Sequence, residues 1–234
     1  EKQTLSNSTY QKEVLHKYQL AIGRHRNFFN NISPTMTDLQ GCHALHETFA
    51  KTDQKLALHF SNSMPIRYSQ AFETLDRAAY YCNRGTSGID GCTSTAAGFS
   101  LQDDHLTILI SGDLAFLYDS NILMHNDLIR NLKIIMINNK GGNIFQMLDR
   151  GDTSKIYGAY QETPQNVKIE YICKAYGIHH EKINEHNELP DRLYNFIHEN
   201  RKPGILEIET NAEKSPKVWK EYIQYIKSNK HEQH

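Results

Sequence analysis

The feature that most constrains this chain is a repeated unit. A short apolar run ends in a cluster of turn-forming polar residues, and a helical pattern follows. Leu56–Phe60 ends in Ser61-Asn62-Ser63, and Ala78–Cys82 ends in Asn83-Arg84-Gly85-Thr86-Ser87-Gly88. Leu106–Ile110 ends in Ser111-Gly112-Asp113, and Lys133–Ile137 ends in Asn138-Asn139-Lys140-Gly141-Gly142. A fifth run, Ile205–Ile208, closes the series. The gaps carry helical periodicity at Asp38–Phe49, Ile66–Leu75, Cys92–Leu101, Ile122–Ile129, Val167–Tyr176, Leu189–Ile197 and Val218–Ile226. Strands alternating with helices predict βαβ units. The expected fold is therefore α/β, a doubly wound, mostly parallel sheet flanked by helices.

The 234 residues suffice for one such domain and a short extension. Residues 1–33 read as that extension, a linker or the helical tail of a preceding domain, with Tyr10, Val14, Leu15, Tyr18 and Ile22 as a loose stripe. Residues 34–230 read as the α/β domain, entered through Thr37-Asp38-Leu39-Gln40 at capping-box spacing. The chain begins at Glu1 with neither Met nor a signal pattern, which suggests part of a longer protein. The net charge of −1 offers no general attraction to nucleic acid or an anionic membrane. No apolar stretch approaches the ~20 residues of a membrane helix. Four cysteines without C-x-x-C spacing, Cys42, Cys82, Cys92 and Cys173, read as reduced thiols of a cytoplasmic protein.

In an open parallel sheet, ligands bind beyond the carboxyl ends of the strands. Each cluster alone has a plain explanation in turn chemistry. Four of them at one sheet edge describe a site. Asn139 follows Asp113 by 26 positions, the length of a crossover helix and a strand, which sets a carboxylate beside an amide at neighbouring strand ends. Both are hard oxygen ligands of the kind Mg²⁺ takes together with phosphate and water. Gly141-Gly142 permits close backbone approach and offers a carbonyl. The sequence contains neither G-x-x-x-x-G-K-[ST] nor G-x-G-x-x-G, so neither a P-loop nor a dinucleotide fingerprint is supported. The histidines, including His43, His46, His59, His105, His125 and the pair His179-His180, show no convincing metal-ligand spacing and read as surface or packing residues.

Gly-Asp followed at this distance by Asn-Asn resembles the thiamine-diphosphate motif, with Leu114 where the usual form has a second Gly. The surrounding segments are Asn83-Arg84-Gly85-Thr86-Ser87-Gly88-Ile89-Asp90-Gly91, Ser94-Thr95-Ala96-Ala97-Gly98, Tyr118-Asp119-Ser120-Asn121 and Asn138-Asn139-Lys140-Gly141-Gly142-Asn143-Ile144-Phe145. Together they resemble the 2-succinyl-5-enolpyruvyl-6-hydroxy-3-cyclohexene-1-carboxylate synthase family of menaquinone biosynthesis. The resemblance implies the diphosphate-binding domain of that thiamine-diphosphate-binding fold. It implies thiamine diphosphate with Mg²⁺ or Mn²⁺ as cofactors, 2-oxoglutarate and isochorismate as substrates, and a partner subunit in a homodimer or homotetramer.

By the same resemblance Asp113, Asn139 and the Gly141 carbonyl hold the metal, while Ile89, Leu114, Gly142 and Asn143 contact the cofactor. Ser63, Arg67 and Arg84 bind substrate carboxylates, a task that suits the planar guanidinium fork. Ile144, Phe145 and Leu148 form an apolar wall beside the reacting carbon. The catalytic glutamate of the family belongs to a pyrimidine-binding domain that nothing in this chain matches, so the chain alone is expected to be inactive. Two alternatives are another thiamine-diphosphate enzyme, of the acetolactate synthase or 2-oxoacid decarboxylase kind, and a non-catalytic phosphate-binding α/β module.

Overall fold

In the computed structural model the apolar runs lie side by side as one parallel sheet. The structure describes residues 9–102, 105–127, 129, 131–147, 155–198 and 203–228. Strands β1 (Leu56–Phe60), β2 (Ala78–Cys82), β3 (Leu106–Gly112), β4 (Leu132–Asn138), β5 (His179–Ile183) and β6 (Gly204–Glu209) pair in the order β2-β1-β3-β4-β6-β5. Every pairing is parallel, as βαβ connections require.

The helices are α1 (Thr9–Asn31), α2 (Asp38–Ala50), α3 (Met64–Ser69), α4 (Cys92–Ser100), α5 (Asp113–Leu117), α6 (Ile144–Met147), α7 (Lys155–Tyr160), α8 (Ile169–Ala175), α9 (Leu189–His198) and α10 (Lys214–Lys227). Side chains alternate across the pleat and feed two separate cores. Ile108, Ile110, Ile135, Ile137, Leu206 and Ile208 pack with Leu39 and Leu45 of α2 and Leu193 of α9. Leu109, Ile134, Met136 and Ile205 face the other way, onto Ala96 and Ala97 of α4, Phe116 of α5 and Cys173 of α8. Each such Leu or Ile contributes about 1.5–3 kcal/mol by leaving water. Two cores on opposite faces are what a doubly wound sheet needs.

The structure departs from the sequence expectations in five places. β5 is an edge strand with its sequence, His-His-Glu-Lys-Ile, half in water, so it lacks the apolar run that marked the others. The helix expected over Ile122–Ile129 is a short 3₁₀ turn, Ser120–His125. The helix expected over Ile66–Leu75 ends at Ser69, and that over Val167–Tyr176 narrows to Ile169–Ala175. The capping box at Thr37 does not form. The Thr37 hydroxyl donates to the Gln40 side-chain oxygen (2.8 Å), and the Gln40 amide donates onward to the Ser33 carbonyl.

Helix α1 keeps its stripe exposed at Tyr10, Val14, Leu15 and Tyr18, and is tied down near its C-terminus. There Arg24 donates to the Ile226 carbonyl of α10, and Phe28 and Phe29 pack around Tyr222. Among the described residues no helix is long and apolar enough to cross a membrane. All four cysteines are free thiols.

Candidate functional site

The carboxyl ends of β1, β2, β3 and β4 open into one cavity of about 430 Å³. Its lining includes Ser63, Arg67, Arg84, Ile89, Asp113, Leu114, Asn139, Gly141, Gly142, Asn143, Ile144 and Phe145. These are all the sequence-predicted site residues except Leu148, which lies outside the described residues. Strand register explains the convergence. Gly112 of β3 pairs with Ile137 of β4, so Asp113 and Asn139 leave adjacent strands one and two residues past that pair.

Asp113 begins α5 and is almost fully buried. Its Oδ1 accepts from the Leu114 N–H (2.8 Å) and its Oδ2 from Gln165 Nε2 (2.7 Å). Burial pushes its pKa up to about 6, against these hydrogen bonds. Asn139 is buried as well, and its Oδ1 has no hydrogen-bond partner. A buried acid with a raised pKa beside an orphaned amide oxygen is the donor set a hard divalent cation satisfies. The residues present therefore fit a Mg²⁺-type ion. No cluster of three or more His, Cys, Asp or Glu capable of holding a metal occurs among the described residues, so any cation here needs amide and carbonyl oxygens beside the Asp113 carboxylate.

The loop after β4 has little room for side chains. A Cβ added at Gly141 would stand 2.9 Å from the Glu162 carbonyl, because residues 162–165 lie against this loop. Gly142 N–H donates to that carbonyl (2.5 Å), and Gln165 N–H donates to the Lys140 carbonyl (3.1 Å). The Leu114 and Gly142 amides are thus engaged within the chain, which limits the backbone contacts expected of those two positions.

On the β1–β2 side the cavity is cationic. Arg67 Nη1 donates to the Ser63 carbonyl (2.6 Å), and Arg84 Nη1 donates to Asn62 Oδ1 (2.9 Å). Neither guanidinium has a carboxylate partner among the described residues. Ser63 sits at φ +74°, ψ −128°, a conformation that costs of order 1–3 kcal/mol outside glycine and turns the chain sharply from β1 into α3.

Sequence reasoning missed three side chains that build this site. Asn62 is buried, and its Nδ2 donates to the Asn83 and Gly88 carbonyls, pinning the Arg84 loop. Gln165 reaches both Asp113 and Asn138. Asp38, the first residue of α2, is buried in the cavity wall. Asn62 falls in a cluster that was recognised, but Gln165 and Asp38 come from segments with no strand-end signature. Two of the quoted motifs also meet: Asp119 accepts from both the amide and the hydroxyl of Ser94, fixing the start of α4.

Residues 63–208 match the family described as thiamine pyrophosphate enzyme, C-terminal TPP binding domain. The chain is similar to 2-succinyl-5-enolpyruvyl-6-hydroxy-3-cyclohexene-1-carboxylate synthases of several bacteria. It is 40% identical to that of Christiangramia forsetii over 205 residues, covering 88% of this chain and 35% of the relative. It is 33% identical to that of Flavobacterium johnsoniae over 219 residues, covering 94% and 39%. It is 39% identical to that of Porphyromonas gingivalis over 171 residues, covering 73% and 30%. The match thus spans 30% to 39% of the length of these curated relatives.

Proposed function

The chain belongs to the thiamine pyrophosphate enzyme family, as its C-terminal TPP binding domain, and from that premise we propose that it is the diphosphate-binding part of a 2-succinyl-5-enolpyruvyl-6-hydroxy-3-cyclohexene-1-carboxylate synthase. The whole protein would decarboxylate 2-oxoglutarate and add the succinyl-semialdehyde unit to isochorismate. The observation that carries the reading is the cavity whose lining brings together Asp113, Asn139, Arg67 and Arg84.

Thiamine diphosphate, when bound, supplies the electron sink for loss of carbon dioxide from a 2-oxo acid. Asp113, Asn139 and the Gly141 carbonyl would hold Mg²⁺ or Mn²⁺, which would neutralise the diphosphate charge. Ile89 would support the cofactor from the β2–α4 loop, and Leu114, Gly142 and Asn143 line the same cavity. Arg67 and Arg84 bind substrate carboxylates with bidentate geometry, and Ser63 adds a hydroxyl. Both substrates are dianionic, so a cationic wall is what their recognition requires. Ile144 and Phe145 exclude water from the reacting carbon.

The family's catalytic glutamate, the other substrate contacts and the partner subunit of a homodimer or homotetramer belong to the rest of the protein, and the segment by itself does not turn over. Free thiols on all four cysteines support a reducing, cytoplasmic setting.

Calorimetric titration of the full-length protein with thiamine diphosphate, ATP and NAD, each with and without Mg²⁺, tests the proposal. Mg²⁺-dependent binding of thiamine diphosphate alone is expected. Preference for ATP or NAD would replace it with a nucleotide-binding module. Turnover of pyruvate in place of 2-oxoglutarate and isochorismate would indicate a different enzyme of the same family.

A further inference from the structure

Asn138 and Asn139 are consecutive, and the backbone sends them to different partners. Each meets a buried carboxylate. Asn138 Nδ2 donates to Glu207 Oε1 (2.7 Å), and Asn139 Nδ2 donates to Asp38 Oδ2 (2.7 Å). The second contact joins residues 101 positions apart and lies in the wall of the cavity.

Asp38 is fully enclosed and surrounded by donors. Its Oδ1 accepts from the Thr210 hydroxyl (2.5 Å) and the Ser215 hydroxyl (3.0 Å), and its Oδ2 also accepts from the Tyr68 hydroxyl (3.3 Å). Its own N–H donates to Ser215 Oγ (3.0 Å). Burial raises the Asp38 pKa, and the hydrogen bonds from Thr210, Asn139, Ser215 and Tyr68 oppose that rise by favouring the carboxylate; in that ionised form it accepts on both oxygens and gives nothing back.

An asparagine amide has two ends of equal size and opposite character. Only one of them can ligate a cation. Turning the Asn139 amide over would set its oxygen against Asp38 Oδ2, two acceptors at hydrogen-bond distance with no proton between them. That orientation is unfavourable in a buried site. The observed one leaves Oδ1 buried and unpartnered on a residue that lines the cavity.

We infer that Asp38 is a positioning residue for the cation site, fixing the Asn139 amide so that oxygen rather than nitrogen is presented to the metal. The inference rests on the assignment of Asp113 and Asn139 as cation ligands. Asp38 acts through Asn139, which separates it from a direct ligand and from a residue that only stabilises α2. Ligand-orienting partners of this kind typically change metal affinity by roughly 10- to 100-fold when removed.

A double-mutant cycle in the full-length protein tests this. The readout is the Mg²⁺ concentration that half-saturates binding of excess thiamine diphosphate, measured by calorimetry, with the thermal midpoint recorded alongside. Asp38→Ala should raise the Mg²⁺ requirement by roughly 10- to 100-fold, and Asn139→Ala at least as far. The double variant should need no more Mg²⁺ than Asn139→Ala alone, to within about twofold, while its thermal midpoint falls further. An unchanged Mg²⁺ requirement in Asp38→Ala overturns the inference, as do effects that multiply in the double variant. If Asp38→Ala does not fold, Asp38→Ser takes its place, since it keeps a polar group for Thr210 and Ser215 but is no longer acceptor-only. Failure of both to fold would make Asp38 a determinant of the fold and overturn the positioning role. A wild-type protein with no Mg²⁺ dependence would remove the underlying metal assignment, a result distinguishable from an unaffected Asp38 variant.

Discussion

Two charged regions of this molecule are built on opposite logic. Along β5 and β6 the described charges are matched. Lys140 pairs with Glu209 (2.6 Å), Lys182 with Glu209 and Glu207, and Arg192 with Glu181 (2.9 Å), while the His180 ring lies within hydrogen-bond distance of Glu207 (2.9 Å). At the mouths of β1 to β4, Arg67, Arg84 and Asp113 lie around one cavity, and none has an ion-pair partner among the described residues. Partnered charges secure an exposed strand that lacks an apolar face. Unpartnered charges, one of them buried, do little for the fold and are explained by what the cavity receives.

The sharpest way to break this comparison is Asp113→Ala. If Asp113 is held for a cation, Mg²⁺-dependent binding of thiamine diphosphate to the full-length protein should be lost, at least roughly 100-fold in affinity, as expected when a metal ligand goes. The protein should stay folded, because removing a buried, cation-free acid also removes a desolvation cost. Equal affinity in wild type and variant would place Asp113 with the structural charges.

Next in size are the arginines. Arg67→Ala or Arg84→Ala should lower kcat/KM for a substrate by roughly ten- to a hundredfold, the equivalent of losing a charge-assisted hydrogen bond of ~1.5–3 kcal/mol. Cofactor affinity should move far less. Normal steady-state kinetics in both variants, or equal loss of cofactor and substrate binding, would remove the carboxylate role.

The cavity was more legible in the sequence than the matched flank, and the reason is physical. β1, β3, β4 and β6 are covered on both faces, so burial forces continuous apolar runs, and each turn cluster marks a strand end. Asp113 and Asn139 could be paired from spacing alone because one crossover separates them. β5 is covered on one side only, so His179, Glu181 and Lys182 serve it as well as aliphatic residues would, and it left no run to find. Asp38 and Gln165 were invisible for another reason. Each reaches the site from a helix start or a loop remote in sequence, and only tertiary packing reveals the contact. Helix ends suffered similarly: Ile66–Leu75 carries apolar periodicity beyond Ser69, yet Ala71, Phe72 and Leu75 pack against the core from non-helical backbone.

A smaller effect concerns histidines that packing keeps neutral. His59 on β1 stacks on Tyr81 and meets Phe99 at a tilt, its Nε2 lacks a partner, and burial pushes its pKa down to about 4. Burial does the same to His25, which shares a hydrogen bond with the Tyr222 hydroxyl. The unfolded chain takes up these protons near pH 6.5 and the folded chain only near 4. Stability from both groups is therefore intact above about pH 6.5 and is lost as the pH falls toward 4. Allowing for partial solvent screening, each contributes on the order of 1 kcal/mol. His59→Phe should flatten the acid limb of a stability–pH profile from chemical denaturation. An unchanged limb would show that His59 titrates normally.

The smallest expected effect is the one that best sharpens the comparison. Arg192 of α9 donates to Glu181 on β5 through Nε (3.3 Å) and Nη2 (2.9 Å), at an edge where both side chains still touch water. Burial alone would raise the Glu181 pKa, but hydrogen bonds from His179 and Arg192 hold it below the ordinary carboxylate value. Water screens the Coulomb attraction, and ordering two long side chains opposes it, so exposed pairs of this kind are worth about 0–1 kcal/mol. Arg192→Met keeps the aliphatic stem and removes the charge. It should cost less than about 1 kcal/mol in chemical denaturation, and the difference should shrink as salt is raised toward 1 M, where the screening length falls to about 3 Å. Cofactor affinity, Mg²⁺ requirement and kcat/KM should all stay at wild-type values, since β5 lies at the sheet edge opposite the Arg67–Arg84 wall. A salt-insensitive loss of several kcal/mol would mean that the pair is effectively buried and the flank a structural keystone. A shift in Mg²⁺ requirement would mean that charge on the flank is felt at Asp113, through Glu207, Asn138 and Gln165, and that the two regions are one electrostatic system.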